Sequence, residues 1–184
     1  MASRLAALNG WGLNLGCGGC PETGYVNVDR TKHSKWVDEE WDLEQEDWPV
    51  LFEDVDSGEY LGRLTTPASS SHRIESIQFA RVKCKDVLEH IRPDLFFQVL
   101  NNIWSLTRPE GILEIQVPEW GSEWATADPT HWRGLSLSSF DILDPSTTLG
   151  RKNRFYGNKP WTILNKNRVP RSNVNLAFTL QKPK

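Results

Sequence analysis

Between Leu13 and Arg30 the chain reads LNLGCGGCPETGYVNVDR: an apolar run, a cluster of glycines holding two cysteines, and a second apolar run ending on Asp29. Three chemistries fit this stretch. Gly16 and Gly18 lack side chains, so the backbone there can approach a bulky ligand and take positive φ. Cys17 and Cys20 form a CxxC pair, the spacing of metal and redox sites. Asp29, at a strand end, offers two acceptor oxygens to a pair of hydroxyls such as those of a ribose. A strand-end aspartate also serves as a helix cap, and a turn glycine can be only a turn. Zinc wants four ligands, and Cys84 with the scattered histidines supplies no second pair at ligand spacing. Pro21-Glu22-Thr23-Gly24 leaves little room for the helix that a thioredoxin-like CxxC opens. The expectation is no metal site here, with Cys17 a small residue inside the glycine turn.

Further along stand Asp42 in WDL, Lys85 and Asp86 ahead of VLEHI, and His131 in ADPTHWRG. Histidine is the side chain best tuned for proton transfer near neutral pH. His90 follows Glu89, and two readings stand: the pair braces a helix start, or one of them faces a pocket. His131 lies in a loop, the usual place for substrate contacts. His33 and His72 read as surface residues.

The elements that must position these groups follow from local pattern. Gly12–Leu15 and Tyr25–Val28 read as short buried strands, with a single helical turn or none between Gly18 and Asp29. A third short strand is expected within 35–43, ending at Trp41-Asp42-Leu43. Residues 52–73 read as irregular, closing on the loop chemistry of LTTPASSSHR. IESIQFARVKC alternates like one strand. In the helix that follows, Pro93 suits the first position and Asp94 the first turn. Leu95, Phe96, Val99, Leu100, Ile103 and Leu106 recur at i, i+3 and i+4 spacing. Thr107–Gly111 then breaks the helix, and ILEIQVP resumes as a strand. Two runs, 161–166 and 174–180, are expected to pair as an antiparallel hairpin. The whole predicts an α/β, Rossmann-like doubly wound sheet, mostly parallel, with an antiparallel C-terminal hairpin. Ligands bind such sheets beyond the carboxyl ends of the strands, where the glycine loop, Asp29, Asp42 and Asp86 all fall.

LNLGCGG, YVNVDR, WDL, DVLEHI and LTRPEGILEIQVP, in that order, resemble the class I S-adenosylmethionine-dependent methyltransferases, and more narrowly a small bacterial and phage group. DPTHWRGLSLSSF also resembles a segment of that group, so the likeness spans roughly residues 11–145. One departure is Glu110, which stands where the family has a glycine. Another is the long segment between Asp42 and DVLEHI. The resemblance implies S-adenosyl-L-methionine as cofactor, held by Leu15, Gly16, Cys17, Gly18, Asp29, Arg30, Asp42, Leu43, Lys85 and Asp86. In it Asp29 takes the ribose, Asp42 and Leu43 the adenine, and Lys85 and Asp86 the methionine end. Asp86, His90 and His131 are the candidate catalytic residues.

At 184 residues the chain is expected to form one domain, with an irregular segment at 44–73 and a basic part at 145–184. No stretch approaches the ~20 apolar residues of a membrane span, and MASRLAALNGWG is too weakly apolar for a signal peptide. Three cysteines fit a reducing compartment, so a cytoplasmic location is expected. The net charge of −3 hides a division: residues 145–184 carry nine Lys and Arg and no acid, leaving 12 − 24 = −12 on the first 144. Eleven of those acids lie between Val37 and Gly62. The basic part could take an anionic acceptor, with Phe155, Tyr156 and Trp161 beside it, or pair with the acidic stretch. The expected partner is a small-molecule or glycan-like acceptor. Two other readings stay open: a noncatalytic nucleoside-binding protein, and nucleic-acid binding through RKNRFYGNKPW, which is possible but less favoured. A nicotinamide dehydrogenase is disfavoured, because its fingerprint has a third glycine opening a helix and an acid about twenty residues on.

Overall fold

The computed structural model describes residues 11–54, 59–62, 74–169 and 175–184. Its main sheet has seven strands: β1 (Gly12–Leu15), β2 (Tyr25–Asp29), β3 (Glu39–Glu40), β7 (Phe79–Lys85), β8 (Thr107–Pro118), β9 (Thr162–Val169) and β10 (Asn175–Gln181). They lie in the order β3-β2-β1-β7-β8-β10-β9. β10 is antiparallel to both neighbours and alone runs against the rest. The chain winds outward from β1 through β2 to β3, then restarts at β7 on the other side of β1. That reversal, between β1 and β7, is the switch point at which such sheets open a crevice.

Strand register sorts the two faces of the sheet. Val26, Leu13, Val82, Leu113, Leu180 and Ile163 form one row across six strands, and Asn27, Asn14, Lys83, Glu114, Thr179 and Asn165 form the next. Side chains alternate between faces along a strand, so the first row packs into the core and the second turns away from it. Helix α1 (Phe96–Leu106) buries Phe96, Val99, Leu100 and Ile103 in the same apolar core as Leu13, Val82 and Leu113. Phe140 joins that core, 4.7 Å from Phe178 in T-shaped contact. Parallel sheets are usually buried on both faces. Here the second face is polar, and near β1 and β2 it is closed by loop rather than helix. Asn14 Nδ2 donates to Asn27 Oδ1 (3.0 Å) and to the Cys20 carbonyl (3.2 Å), and the Glu22 N–H donates to Asn27 Oδ1 (2.7 Å). These two buried asparagines fasten residues 20–22 over the sheet where a crossover helix would stand.

Several expectations are corrected. The third strand is only Glu39–Glu40; Trp41 adds one hydrogen bond to Asp29 O (2.7 Å), and Asp42 then turns the chain by accepting the Glu44 N–H at 3.0 Å. Residues 52–73 are not simply irregular: β4 (Phe52–Asp54), β5 (Glu59–Gly62) and β6 (Ile74–Ser76) form a second sheet in the order β5-β4-β6. LTTPASSSHR, with His72, lies outside the described residues. IESIQFARVKC is two strands, β6 and β7, in different sheets. The helix does not begin at Pro93, because the Asp94 carboxylate pairs with the Arg92 guanidinium at 2.6 Å and α1 starts at Phe96. The expected break at Thr107–Gly111 is a bulge inside one continuous strand, β8. Phe79 pairs Thr107 while Arg81 already pairs Ile112. Glu110 there takes φ of 61°, the left-handed conformation that a glycine adopts freely. It is secured by hydrogen bonds from its N–H to Lys182 O (3.0 Å) and from Gln181 Nε2 to its carbonyl (3.1 Å). The C-terminal hairpin forms as expected, over 162–169 and 175–181. Among the described residues its charges pair with Glu119 and Asp141, and those of the end of the chain with Glu110, rather than with the stretch 37–62. Trp161 is in the core, 1% exposed, and is no part of a basic surface. No helix among the described residues is long and apolar enough to cross a membrane.

Candidate functional site

A cavity of about 770 Å³ opens beyond the carboxyl ends of β1, β2, β3 and β7. Gly16, Asp29, Arg30, Asp42, Leu43, Asp86, His90 and His131 all line it. Eight residues chosen from the sequence thus share one wall.

The glycine loop is held at both ends. Gly16 has φ of 62°, and a Cβ there would lie 2.3 Å from Val87 Cγ2, so only glycine lets the loop close on the start of the next segment. The Cys17 N–H donates to Val28 O at 2.9 Å, and the Gly18 N–H donates to Asp29 Oδ2 at 2.7 Å. One oxygen of Asp29 therefore fixes the loop, and the carboxylate keeps acceptor capacity for a ligand. His33, expected to be only a surface residue, straps the loop from outside: its Nε2 lies 2.8 Å from Gly18 O and its Nδ1 3.0 Å from Thr31 O. Both carbonyls raise its pKa above the ordinary value. Arg30 stands 3.5 Å from Asp42, so the two share one rim of the cavity. Leu43 is nearly buried and offers its carbonyl to Trp48 Nε1 at 3.0 Å.

Four residues expected to hold the cofactor do not line this cavity. Leu15 is wholly buried in the core. Cys17, Gly18 and Lys85 line a separate depression of about 640 Å³, which also carries Lys83 and Glu114 of the polar face. Cys17 is buried, and burial, with Asp29 and Asp38 nearby, pushes its thiol up to about 11; Cys20 is exposed. A thiol held protonated is a poor nucleophile and a poor ligand.

Asp86 is where the openings meet, for it borders both cavities and a third of about 600 Å³. Its φ is 52°, an unusual backbone state for a non-glycine and one that concentrates at functional sites. Burial raises its pKa, while Lys85, His90 and His131 pull the other way. Beyond it a 3-10 turn, Leu88–His90, sets His90 against His131, with ring centroids 4.6 Å apart at 71°. Burial first, and His131 second, lower the pKa of His90. Glu89 is 2% exposed; burial, added to by Asp86 and Asp128, pushes its carboxyl up to about 7.

Sequence reasoning missed Val87, which sets the glycine at 16, and Thr130 and Trp132, which complete the cavity wall. It also missed Asn14 and Asn27; the polar residue inside each apolar run, LNL and VNV, was their signal.

No protein-family model and no curated protein sequence matches the chain. Solved structures do. The 1,6-didemethyltoxoflavin-N1-methyltransferase of Burkholderia thailandensis, solved with bound 1,6-didemethyltoxoflavin and S-adenosylhomocysteine, aligns with a TM-score of 0.55 at 17% identity over 95% of this chain and 71% of its own. An S-adenosylmethionine-dependent methyltransferase from Clostridium acetobutylicum aligns with a TM-score of 0.55 at 9% identity, covering 94% and 84%. The [4+2]-cyclase SpnF aligns with a TM-score of 0.52 at 13% identity, covering 98% and 77%. The strand order and these neighbours give the chain the fold of the class I S-adenosylmethionine-dependent methyltransferases.

Proposed function

We propose that this chain is an S-adenosylmethionine-dependent methyltransferase acting on a small-molecule or glycan-like acceptor. The observation that carries the reading is the meeting of Gly16, Asp29, Asp42 and Asp86 around one cavity at the switch point of the sheet. The donor's ribose lies against the free acceptor capacity of Asp29, and its adenine beside Asp42 and Leu43. The sulfonium end points toward Asp86. Methyl transfer from a sulfonium needs little covalent help, because the donor is already activated and the gain is chiefly alignment of acceptor and methyl. The acceptor enters from the side of Asp86, His90 and His131. There a carboxylate and two imidazoles are available to orient it and to receive a proton if it is a hydroxyl.

Leu15, Cys17, Gly18 and Lys85 take different parts in this reading. Leu15 supports the loop from the core, Cys17 and Gly18 shape its turn, and Lys85 acts on Asp86 electrostatically. A cyclase among the structural neighbours favours keeping a second reading, in which the chain binds the nucleoside without transferring methyl.

Calorimetric titration with S-adenosylmethionine, S-adenosylhomocysteine and NAD tests the donor assignment. Micromolar binding of the two S-adenosyl compounds without NAD is expected, and absence of both would sink the reading. Asp29→Ala should weaken S-adenosylhomocysteine roughly 100-fold, the loss of about two charge-assisted hydrogen bonds, while far-UV circular dichroism stays unchanged. An unaltered affinity would remove the ribose assignment.

A further inference from the structure

We propose that Glu89, His90 and His131 form a binding site for a divalent transition-metal ion, with zinc the best match. One ligand atom from each of the three lies within 4.8 Å of the others. The side chains come from two separate segments, the 3-10 turn after β7 and the loop that follows α2 (Glu123–Ala127).

The hydrogen bonds around the trio dictate which atoms are free. Thr130 Oγ1 donates to Asp128 Oδ1 at 2.6 Å, so toward His90 Nδ1, 2.8 Å away, it can only accept. His90 Nδ1 therefore carries the hydrogen. The Ala125 carbonyl, 3.3 Å from His131 Nδ1, likewise can only accept, so that nitrogen carries the hydrogen too. In the neutral rings both Nε2 atoms are then left with a lone pair. Metal-binding histidines characteristically have one ring N–H fixed in this way by a carbonyl or a carboxylate-linked partner. Glu89 supplies the third group. It is nine-tenths buried and more, and its Oε2 has no hydrogen-bond partner among the described residues. A buried polar atom of this kind is costly unless something pairs with it. Two imidazoles and a carboxylate with an unpartnered oxygen thus converge, and a cation answers all three.

Two imidazoles and one carboxylate, with positions left open, suit zinc or iron(II) and suit calcium or magnesium poorly. Ligand atoms in a tetrahedral zinc site stand about 3.3 Å apart, given bonds of about 2.0 Å, so modest side-chain rotation would close the trio. The cavity of about 600 Å³ that holds Glu89 and Asp128 shares Asp86, His90 and His131 with the proposed donor cavity. An ion here would hold an acceptor oxygen in its open position, beside the methyl to be transferred, and with both imidazoles then taken as ligands the group left to receive a proton would be Asp86.

The site stands without the methyl-transfer reading, because ion and donor binding are measured apart. The whole chain, freed of any affinity tag and of metal by chelator, is titrated with zinc chloride by calorimetry, and with calcium chloride for comparison. One equivalent of zinc at micromolar affinity or tighter is expected, with no calcium. His131→Ala and Thr130→Val should each weaken zinc at least tenfold with the circular dichroism unchanged. Thr130 is exposed at the rim, so its loss tests the site even if a variant at buried Glu89 fails to fold. Cys20→Ser should leave zinc binding intact. No saturable zinc binding, binding that survives His131→Ala, or binding lost in Cys20→Ser would each overturn the proposal. S-adenosylhomocysteine titrated into the same preparation reports separately on the donor cavity.

Discussion

Two residues fix the glycine loop by different physics. Gly16 is required by sterics as well as by its backbone angle, whereas a Cβ on Gly18, φ 49°, would meet nothing within 4 Å. Gly18→Ala should therefore cost about 1 kcal/mol of backbone strain. Gly16→Ala should cost about 3 kcal/mol, because Val87 must also give way. Thermal unfolding of the two variants measures the difference, and equal shifts would dismiss the Val87 contact. His33 works by charge. Both of its ring nitrogens face carbonyl oxygens, which only accept, so both bonds exist only in the imidazolium. Its pKa is raised, so the strap is complete below the ordinary value of 6.5 and is lost as pH climbs through the raised one. S-adenosylhomocysteine affinity should fall as pH rises above that ordinary value. His33→Asn should flatten the profile, and a slope that persists in the variant would place the titration elsewhere. The glycine loop and Asp29 were legible in the sequence because they are local: strand, turn and strand follow within a few residues. The strap was not, since nothing in His33's neighbourhood betrays that it reaches back to Gly18.

Among the elements, α1 shows how the end of the chain holds the middle. Its last turn is capped from β10's side by Lys182, whose Nζ donates to Trp104 O at 2.9 Å and Thr107 O at 2.7 Å and lies 3.7 Å over the Trp104 ring. A cation at a helix C-terminus satisfies carbonyls that have no partner within the helix. Lys182→Met keeps the apolar stem and removes the donors. It should lower stability by about 2 kcal/mol and the melting temperature by roughly 6 °C. A variant that melts with the wild type would mean that water caps these carbonyls as well. Helix and strand types read well from periodicity, yet boundaries went astray wherever one side chain had a competing partner. Asp94 was expected to favour the first turn and instead binds Arg92. The family's glycine position at Glu110 marked a left-handed bulge that only the register between β7 and β8 exposes. The second sheet is not legible from pattern because its strands, of three and four residues, are too short to alternate.

At the scale of the molecule, the described basic residues of the C-terminal hairpin find acids outside the acidic run. Arg168 binds Glu119 through Nε and a terminal nitrogen, at 2.8 and 2.6 Å, and Lys166 binds Asp141 at 2.5 Å. Glu119 and Asp141 lie outside the acidic run that the composition singled out, since which acid a lysine meets is a matter of tertiary position. The same holds for Glu89, His90 and His131, whose convergence needs two segments forty residues apart to fold together.

The polar second face of the sheet has a thermodynamic consequence. Asn14, Lys83, Glu114 and Thr179 occupy positions that a sheet clad on both faces would fill with valine and isoleucine. Unfolding therefore exposes less hydrocarbon to water, and that exposure is the source of the heat-capacity increment. A chain of 184 residues ordinarily gains on the order of 2.5 kcal/mol/K on unfolding. Calorimetry should find less here, and with it a broader, flatter dependence of stability on temperature, reaching further into the cold before it turns down.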